Sequence, residues 1–445
     1  MDFYIKAAKV ISALDAKQGS IKGLTLQSGD KNGPRTYALV LETLKYRAVL
    51  EKIIKDSGML LKERKLAAQG PLCLVLVHDL LLNKAGIVSN AGLFKDAVLR
   101  HKTRLNAEWV KAKIKLKAKD NQALAKRDET FIPRWARVNT LKTSMEAVLD
   151  SLSFPVVDSL EALKVGSVYI DVHIENLLAF HPNETLNKHK HYLDGSLIFQ
   201  NKASCIPAAI LNPHPGAHVI DACAAPGNKT SHLAALLQGT GKLFAFERDP
   251  RRVQVLQTML DKAGAPCTVA HQDFTRTDPK DAQYAQVTHL LLDPSCSGSG
   301  IVNRLDYLTE QDAQPEDTVV DERLESLAAF QKALLLHAMH FPAAQKITYS
   351  TCSVHAIENE GVVIAALKAR PDWQVADRSE ALPSWSRRGV LAECDNNKQI
   401  SEGLVRAMPG EHGTIGFFIA TFEKPASKKV KKSEAAADEI DDIFG

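Results

Sequence analysis

A chain of 445 residues exceeds one ordinary core, and 45% apolar with 24% charged residues is the composition of a globular protein rather than a disordered or fibrous one. The formal charge of +4 hides a division: residues 1–130 carry 25 Lys and Arg against 13 Asp and Glu, while the remainder is net acidic. A basic front on an acidic body suits a polyanionic partner, because cations near phosphates gain counterion-release energy.

Residues 1 to about 128 form a basic helical domain in prospect. YALVLETLKYRAVLEKIIKDSGMLLKERKLAA repeats apolar residues at three and four, with Gly58 as a break. PLCLVLVHDLLLNKAGIV, from Pro71, is interrupted by His78 and Asp79 short of the ~20 apolar residues a bilayer span needs. MDFYIKAAKV has no signal h-region, so no membrane role is expected. VKAKIKLKAK, Val110 to Lys119, alternates like a strand in residue types that suit a helix, and displays Lys111, Lys113 and Lys115 for phosphate contact. From 129 to 204, short β-like runs (ARVNTL, SVYIDVHI) around a helical TSMEAVLDSL predict a small α/β unit. From 205 to 424, apolar strands alternate with helices: HVIDA, KLFAFER, CTVAHQD, THLLLD and KITYSTCS predict a doubly wound, mostly parallel Rossmann-like sheet closed by GFFIATFEK. Residues 425–445, a lysine cluster and then acids, predict a disordered tail.

In such a sheet ligands sit at the carboxyl ends of the strands. The first exit, ACAAPGNKT, offers small residues (Cys223, Ala224, Ala225, Pro226, Gly227) and then Asn228 and Lys229 at a helix start, but neither GxGxxG nor a complete P-loop. The second strand ends in Glu247, placed to grip ribose hydroxyls, and the third in Asp273, placed for an adenine amino group or a helix cap. An adenosine cofactor without pyrophosphate, S-adenosylmethionine, fits these three exits. Seven scattered cysteines show no CxxC and no zinc spacing, so free thiols in a reducing compartment and no metal are expected. Two of them, Cys296 in LLLDPSCSGSG and Cys352 in KITYSTCSV, follow the fourth and fifth strands and should converge beside Asp293.

Few methyl transfers need an acid and a thiol. A ring nitrogen, amine or hydroxyl attacks a methyl sulfonium unaided, whereas C5 of cytosine must first be made enamine-like by a thiolate adding at C6. Asp293 at N3 and the exocyclic amine would take up the charge pushed into the ring, and Lys229 and the cationic cofactor would favour the thiolate. On these grounds either thiol could attack.

DACAAPGNKT, LLLDPSCSGSG, YSTCSVHAIENE, PRWARVNTLK and GFFIATFEK, spread over 131–424, together resemble the Sun (Fmu-like) family of RNA cytosine-5 methyltransferases. AKQGSIKGL in the front is similar to the eukaryotic branch acting on large-subunit ribosomal RNA. The resemblance implies that Cys352 is the nucleophile and Cys296 the thiol assisting product release. It carries over Cys223 to Lys229, Glu247, Arg252, Asp273 and Asp293 as the cofactor and base set, and implies a nucleolar protein, with pre-ribosomal particles as partners. Three positions depart from the family pattern: Gln200-Asn201 for Gln-Asp, Ile415 before GFF, and Glu247 for an aspartate. Arg134, Arg137 and Asn139 beside Trp135 are expected to meet RNA through phosphates and a stacked base, with a buried boundary role as the other possibility for Trp135. A transfer RNA or DNA substrate, and an assembly factor whose catalysis is dispensable, are the rival readings.

Overall fold

The computed structural model describes residues 1–16, 21–25, 32–125, 131–301 and 322–425. They fall into two compact units, one of Met1–Phe131 and the other of Ile132–Ile301 with the chain from Glu322 onward. The tail expected at 425–445 lies, after its first residue, outside the described residues.

The first unit is helical. Gly70–Leu82 is its axis: every residue from Leu72 to Asp79 is buried, which an all-round apolar helix requires in a globular setting. The two polar residues that interrupt the run are accommodated there. The Tyr4 hydroxyl donates to Asp79 Oδ2 at 2.7 Å, and His78 Nδ1 lies 3.2 Å from Oδ1. Gly58, at φ 67°, ends the helix Arg47–Ser57 in the left-handed region. The alternating lysine segment is helix rather than strand as far as Lys115, because Leu105 and Trp109 are buried on one side of Lys102–Lys115. Among the described residues no helix is long and apolar enough to cross a membrane.

The second unit holds two sheets. The smaller has the order β2-β3-β4-β1-β5, from β1 (Arg134–Val138), β2 (Val156–Val157), β3 (Val168–Ile170), β4 (Leu177–Phe180) and β5 (Leu197–Phe199), with β1 antiparallel to both neighbours. SVYIDVHI is strand only to Ile170, where Asp171 turns the chain by accepting the amides of His173 and Ile174.

The larger sheet comprises β6 (His218–Asp221), β7 (Lys242–Glu247), β8 (Thr268–His271), β9 (Val287–Leu292), β10 (Lys346–Thr351), β11 (Gln374–Val375), β12 (Val405–Ala407) and β13 (Phe417–Glu423). Its order is β11-β13-β10-β9-β6-β7-β8, with β12 on β13. β6 to β10 are mutually parallel and β13 runs antiparallel to β10. Strands β6, β7, β9 and β10 are buried almost throughout, as strands covered on both faces must be. Chain order reverses between β6 and β9, the kind of switch point at which open α/β sheets bind their ligands. The exits of β6, β9 and β10 all open there.

Candidate active site

Backbone hydrogen bonds sew the exits together. Ala222 N–H donates to Leu291 O at 2.9 Å, Ala224 N–H to Phe246 O at 2.9 Å, and Gln272 N–H to Glu247 O at 3.1 Å. The β6 loop therefore lies between the ends of β7 and β9, beside Glu247. Gly227, at φ 110°, begins the helix Asn228–Leu236, and a Cβ there would stand 3.1 Å from Met259 Cγ and 3.2 Å from Leu256 Cδ1 of the helix Pro250–Ala263. Only glycine allows so close an approach at that backbone conformation. Arg252 secures the loop from the other side, donating to Ala225 O at 2.7 Å and pairing with Glu247 Oε2 at 3.2 Å. Asp273 uses Oδ1 to accept from the amide and hydroxyl of Thr275, which is the capping role its position also permitted.

Asp293 follows β9 and is gripped from two directions. Lys229 Nζ lies 2.7 Å from its Oδ2 and the Ser350 hydroxyl donates to Oδ1 at 2.7 Å, while Lys229 also donates to Ser204 Oγ at 3.0 Å. Burial works against the Lys229 ammonium, but Asp293 outweighs it and holds the pKa above the usual lysine value. Lys229 is thus a fixed cation at neutral pH.

The thiols after β9 and β10 do converge: Cys296 Sγ and Cys352 Sγ are 3.0 Å apart, not joined as a disulfide. The hydrogen bond with Cys352, then burial, pushes the Cys296 thiol well above its ordinary pKa. Cys223 is also raised, by burial first and the carboxylates around it second.

Further residues complete the site. Asp221, the last residue of β6, is fully buried, accepts the Thr230 hydroxyl at 2.7 Å, and is pushed by burial up to about 6. Gly300 and Gly416 lock the loop after β9 to the start of β13: Gly416 N–H donates to Gly300 O at 2.8 Å, and a Cβ on Gly416 would stand 2.7 Å from Gly300 Cα. Glu358, Asn359, Gln331, Ser350 and Ser204 were not singled out from the sequence. Glu358 and Asn359 stand inside a recognised motif, YSTCSVHAIENE, but nothing local to it points to their partners.

The expected RNA contacts need correction at three positions. Trp135 is 3% exposed and its Nε1 donates to Gly413 O at 2.7 Å, so it has no face for a base. Arg137 is 1% exposed, its Nε bonded to Gln200 Oε1 at 3.0 Å and Nη2 to Ser231 Oγ at 2.9 Å. Asn139, fully buried, donates to Gly195 O at 3.0 Å and Ala263 O at 2.7 Å, tying the small sheet to the helix Pro250–Ala263. These side chains join the two sheets because β1 is a central strand with both faces covered. Arg134 is half-buried, donates to Pro182 O and lies over Phe199. Lys111 is exposed and paired with Glu108, Lys115 is exposed, and Lys113 turns toward Asn121 Oδ1 at 3.2 Å. Two of the departures from the family pattern have plain local roles. Asn201 caps the helix Lys202–Leu211 through Ala203 N–H, as an aspartate would, and Ile415 packs half-buried against an apolar cluster that Cys352 also adjoins.

A doubly wound sheet of this order, with a small-residue loop, a ribose-type acid and two thiols at its switch point, defines the Rossmann-like class of methyltransferases. Comparison with known proteins narrows the class. Residues 208–423 match the family described as 16S rRNA methyltransferase RsmB/F, residues 35–125 the N-terminal domain and residues 132–200 the ferredoxin-like domain of NOL1/NOP2/Sun domain family member 5. The chain is 49% identical to the 25S rRNA (cytosine-C(5))-methyltransferase rcm1 of Schizosaccharomyces pombe over 96% of this chain and 92% of that protein. It is 41% identical to a 28S rRNA (cytosine-C(5))-methyltransferase of Mus musculus over 95% and 91%. Among solved structures PH0851 superposes at a TM-score of 0.60 with 20% identity, covering 94% of this chain and 98% of that one, a likeness of fold. The chain belongs to the NSUN5-type branch of the Sun family of rRNA cytosine-C5 methyltransferases.

Proposed function

We propose that this protein methylates C5 of a cytosine in large-subunit ribosomal RNA, with Cys352 as nucleophile and S-adenosylmethionine as methyl donor. The observation that carries the reading is the Cys296–Cys352 pair, 3.0 Å between sulfurs, beside an Asp293–Lys229 ion pair. The substrate class follows the relatives, which are named for 25S and 28S rRNA.

What supports the cofactor assignment is the donor set. The loop from Cys223 to Asn228 supplies small side chains, Glu247 a carboxylate for ribose, Asp273 one for adenine, and Arg252 the anchor that holds loop and Glu247 together. Bound there, S-adenosylmethionine supplies an electrophilic methyl group. The chain's own residues prepare the base. Cys352 Sγ adds at C6, and electron density moves onto C5 and N3. Asp293, held by Ser350 and Lys229, accepts from the exocyclic amine and passes to N3 the proton that the Cys352 thiol gives up as its sulfur adds, which neutralises that charge. Cys296 Sγ, 3.0 Å from Cys352 Sγ, stands within hydrogen-bond reach of the attacking sulfur. When C5 later gives its proton to water, the C5–C6 double bond re-forms and the C6–S bond breaks, its electron pair leaving on Cys352 Sγ beside the Cys296 S–H.

A target base must be unpaired or flipped to enter, at a cost of a few kcal/mol. Exposed Lys111 and Lys115 and the half-buried Arg134 are the proposed backbone contacts. The basic run Lys428–Lys432 favours nuclear entry, and a nucleolar site with pre-ribosomal particles as the working partner is part of the same proposal. The test is incubation of the purified protein with ribosomal RNA and methyl-labelled S-adenosylmethionine, followed by digestion to nucleosides. Label in 5-methylcytidine is expected; label in another nucleoside, or none, would overturn the reading.

A further inference from the structure

Two adjacent residues, Glu358 and Asn359, reach in different directions and grip the backbone beside different thiols. Glu358 Oε1 accepts the Ser297 amide at 2.9 Å and Gln331 Nε2 at 2.9 Å, and Gln331 Nε2 also donates to Ser295 O at 3.1 Å. The peptides on both sides of Cys296 are thus held by one buried Glu–Gln pair, itself fixed by the Tyr349 hydroxyl donating to Glu358 O at 2.6 Å. Asn359 does the same for the other strand exit. Its Oδ1 accepts the Thr351 hydroxyl at 2.5 Å and its Nδ2 donates to Ser353 O at 3.0 Å, so the residues before and after Cys352 are both held. Several bonds join the two arms near the thiols: Gly300 N–H donates to Cys352 O at 2.9 Å, the Ser297 hydroxyl to Ser353 Oγ at 3.1 Å and Val354 N–H to Ser299 Oγ at 3.0 Å, so what separates the arms is which backbone each of the two residues grips.

We infer that Glu358 and Asn359 are positioning residues that divide the two thiols between them, Glu358 with Gln331 setting Cys296 and Asn359 setting Cys352. Both are fully buried behind the thiols, with their side chains taken up by protein partners. Their work is to keep two sulfurs on separate loops in register, so that one can attack C6 while the other stands against it when the adduct is resolved. The division of thiol roles rests on the function proposed above; the positioning itself does not.

The experiment uses the full chain in two assays. In the first, without RNA, alkylation of each cysteine by iodoacetamide is followed by mass spectrometry. Glu358→Ala is expected to change the rate at Cys296 roughly tenfold and leave Cys352 near wild type, with Asn359→Ala doing the converse, since misplacing a group by about 1 Å costs up to about 100-fold in reactivity. Gln331→Leu should follow Glu358→Ala, and it carries the test if the fully buried Glu358 cannot be removed without loss of folding. Glu358→Gln, which keeps an acceptor oxygen for the Ser297 amide, should restore wild-type rates. In the second assay, with RNA and cofactor, Glu358→Ala should lengthen the life of the covalent RNA adduct as Cys296→Ala does, and Asn359→Ala should lower adduct formation. A general structural effect would move both thiols and both steps together, and that result, or no change at either thiol, overturns the inference. If alkylation is selective but Cys296→Ala accumulates no adduct, the assignment of thiol roles fails while the positioning stands.

Discussion

Asp221 gives a prediction whose sign is fixed by the structure. It is fully buried at the end of β6, and burial lifts its pKa from 3.8 to about 6, although the Thr230 hydroxyl and nearby Lys229 pull the other way. A shift of about 2 units is worth about 3 kcal/mol at about 1.4 kcal/mol per unit. The folded pKa lies above the unfolded one, so the folded state holds the extra proton. Its contribution is full below about pH 4 and is lost as pH rises through about 6. Above that the wild type bears the cost of a buried anion, and Asp221→Asn, which can still accept from Thr230, does not. The melting temperature of Asp221→Asn minus that of wild type should therefore grow between about pH 4 and 6 and then level off. For a unit of this size about 3 kcal/mol corresponds to roughly 6–12 °C. Scanning calorimetry from pH 4 to 8 in constant salt reads it directly. A difference independent of pH, or shrinking as pH rises, would refute the reasoning.

Other perturbations bear on the site and its corrections. Gly300→Ala places a Cβ against the backbone of Gly416 and should displace the loop carrying Cys296, slowing turnover about 100-fold while leaving cofactor affinity, measured by calorimetry, near wild type. Arg137→Met removes a buried guanidinium bonded to Gln200 and Ser231; it should lower the melting temperature without altering the salt dependence of RNA binding, since the group is shielded from solvent. Lys111→Ala with Lys115→Ala should instead reduce the slope of log affinity against log salt by up to about 2, and an unchanged slope would remove this helix from the RNA interface.

What the sequence disclosed depended on how local the signal was. The central strands were legible because a strand covered on both faces must be a continuous apolar run, and HVIDA, KLFAFER, THLLLD and KITYST each became one. The meeting of Cys296 and Cys352 was legible for the same reason, since residues leaving adjacent parallel strands are neighbours. PRWARVN misled because arginine beside tryptophan has the composition of an RNA contact, and what satisfies it lies far along the chain: Gln200, Ser231, Ala263 and Gly413. Glu358 and Asn359 escaped notice likewise, with partners at Ser297, Gln331 and Thr351 that no periodicity reveals. The lysines of Val110–Lys119 were visible as charge, but helix geometry, not alternation, decides which of them face outward.

The most direct test of the two-thiol account incubates wild type, Cys296→Ala and Cys352→Ala with labelled ribosomal RNA and S-adenosylmethionine and resolves the products on a denaturing gel. The account predicts that Cys296→Ala accumulates a protein–RNA adduct, and that Cys352→Ala forms none and transfers no methyl group. An adduct trapped in Cys352→Ala and absent from Cys296→Ala would contradict it and make Cys296 the nucleophile.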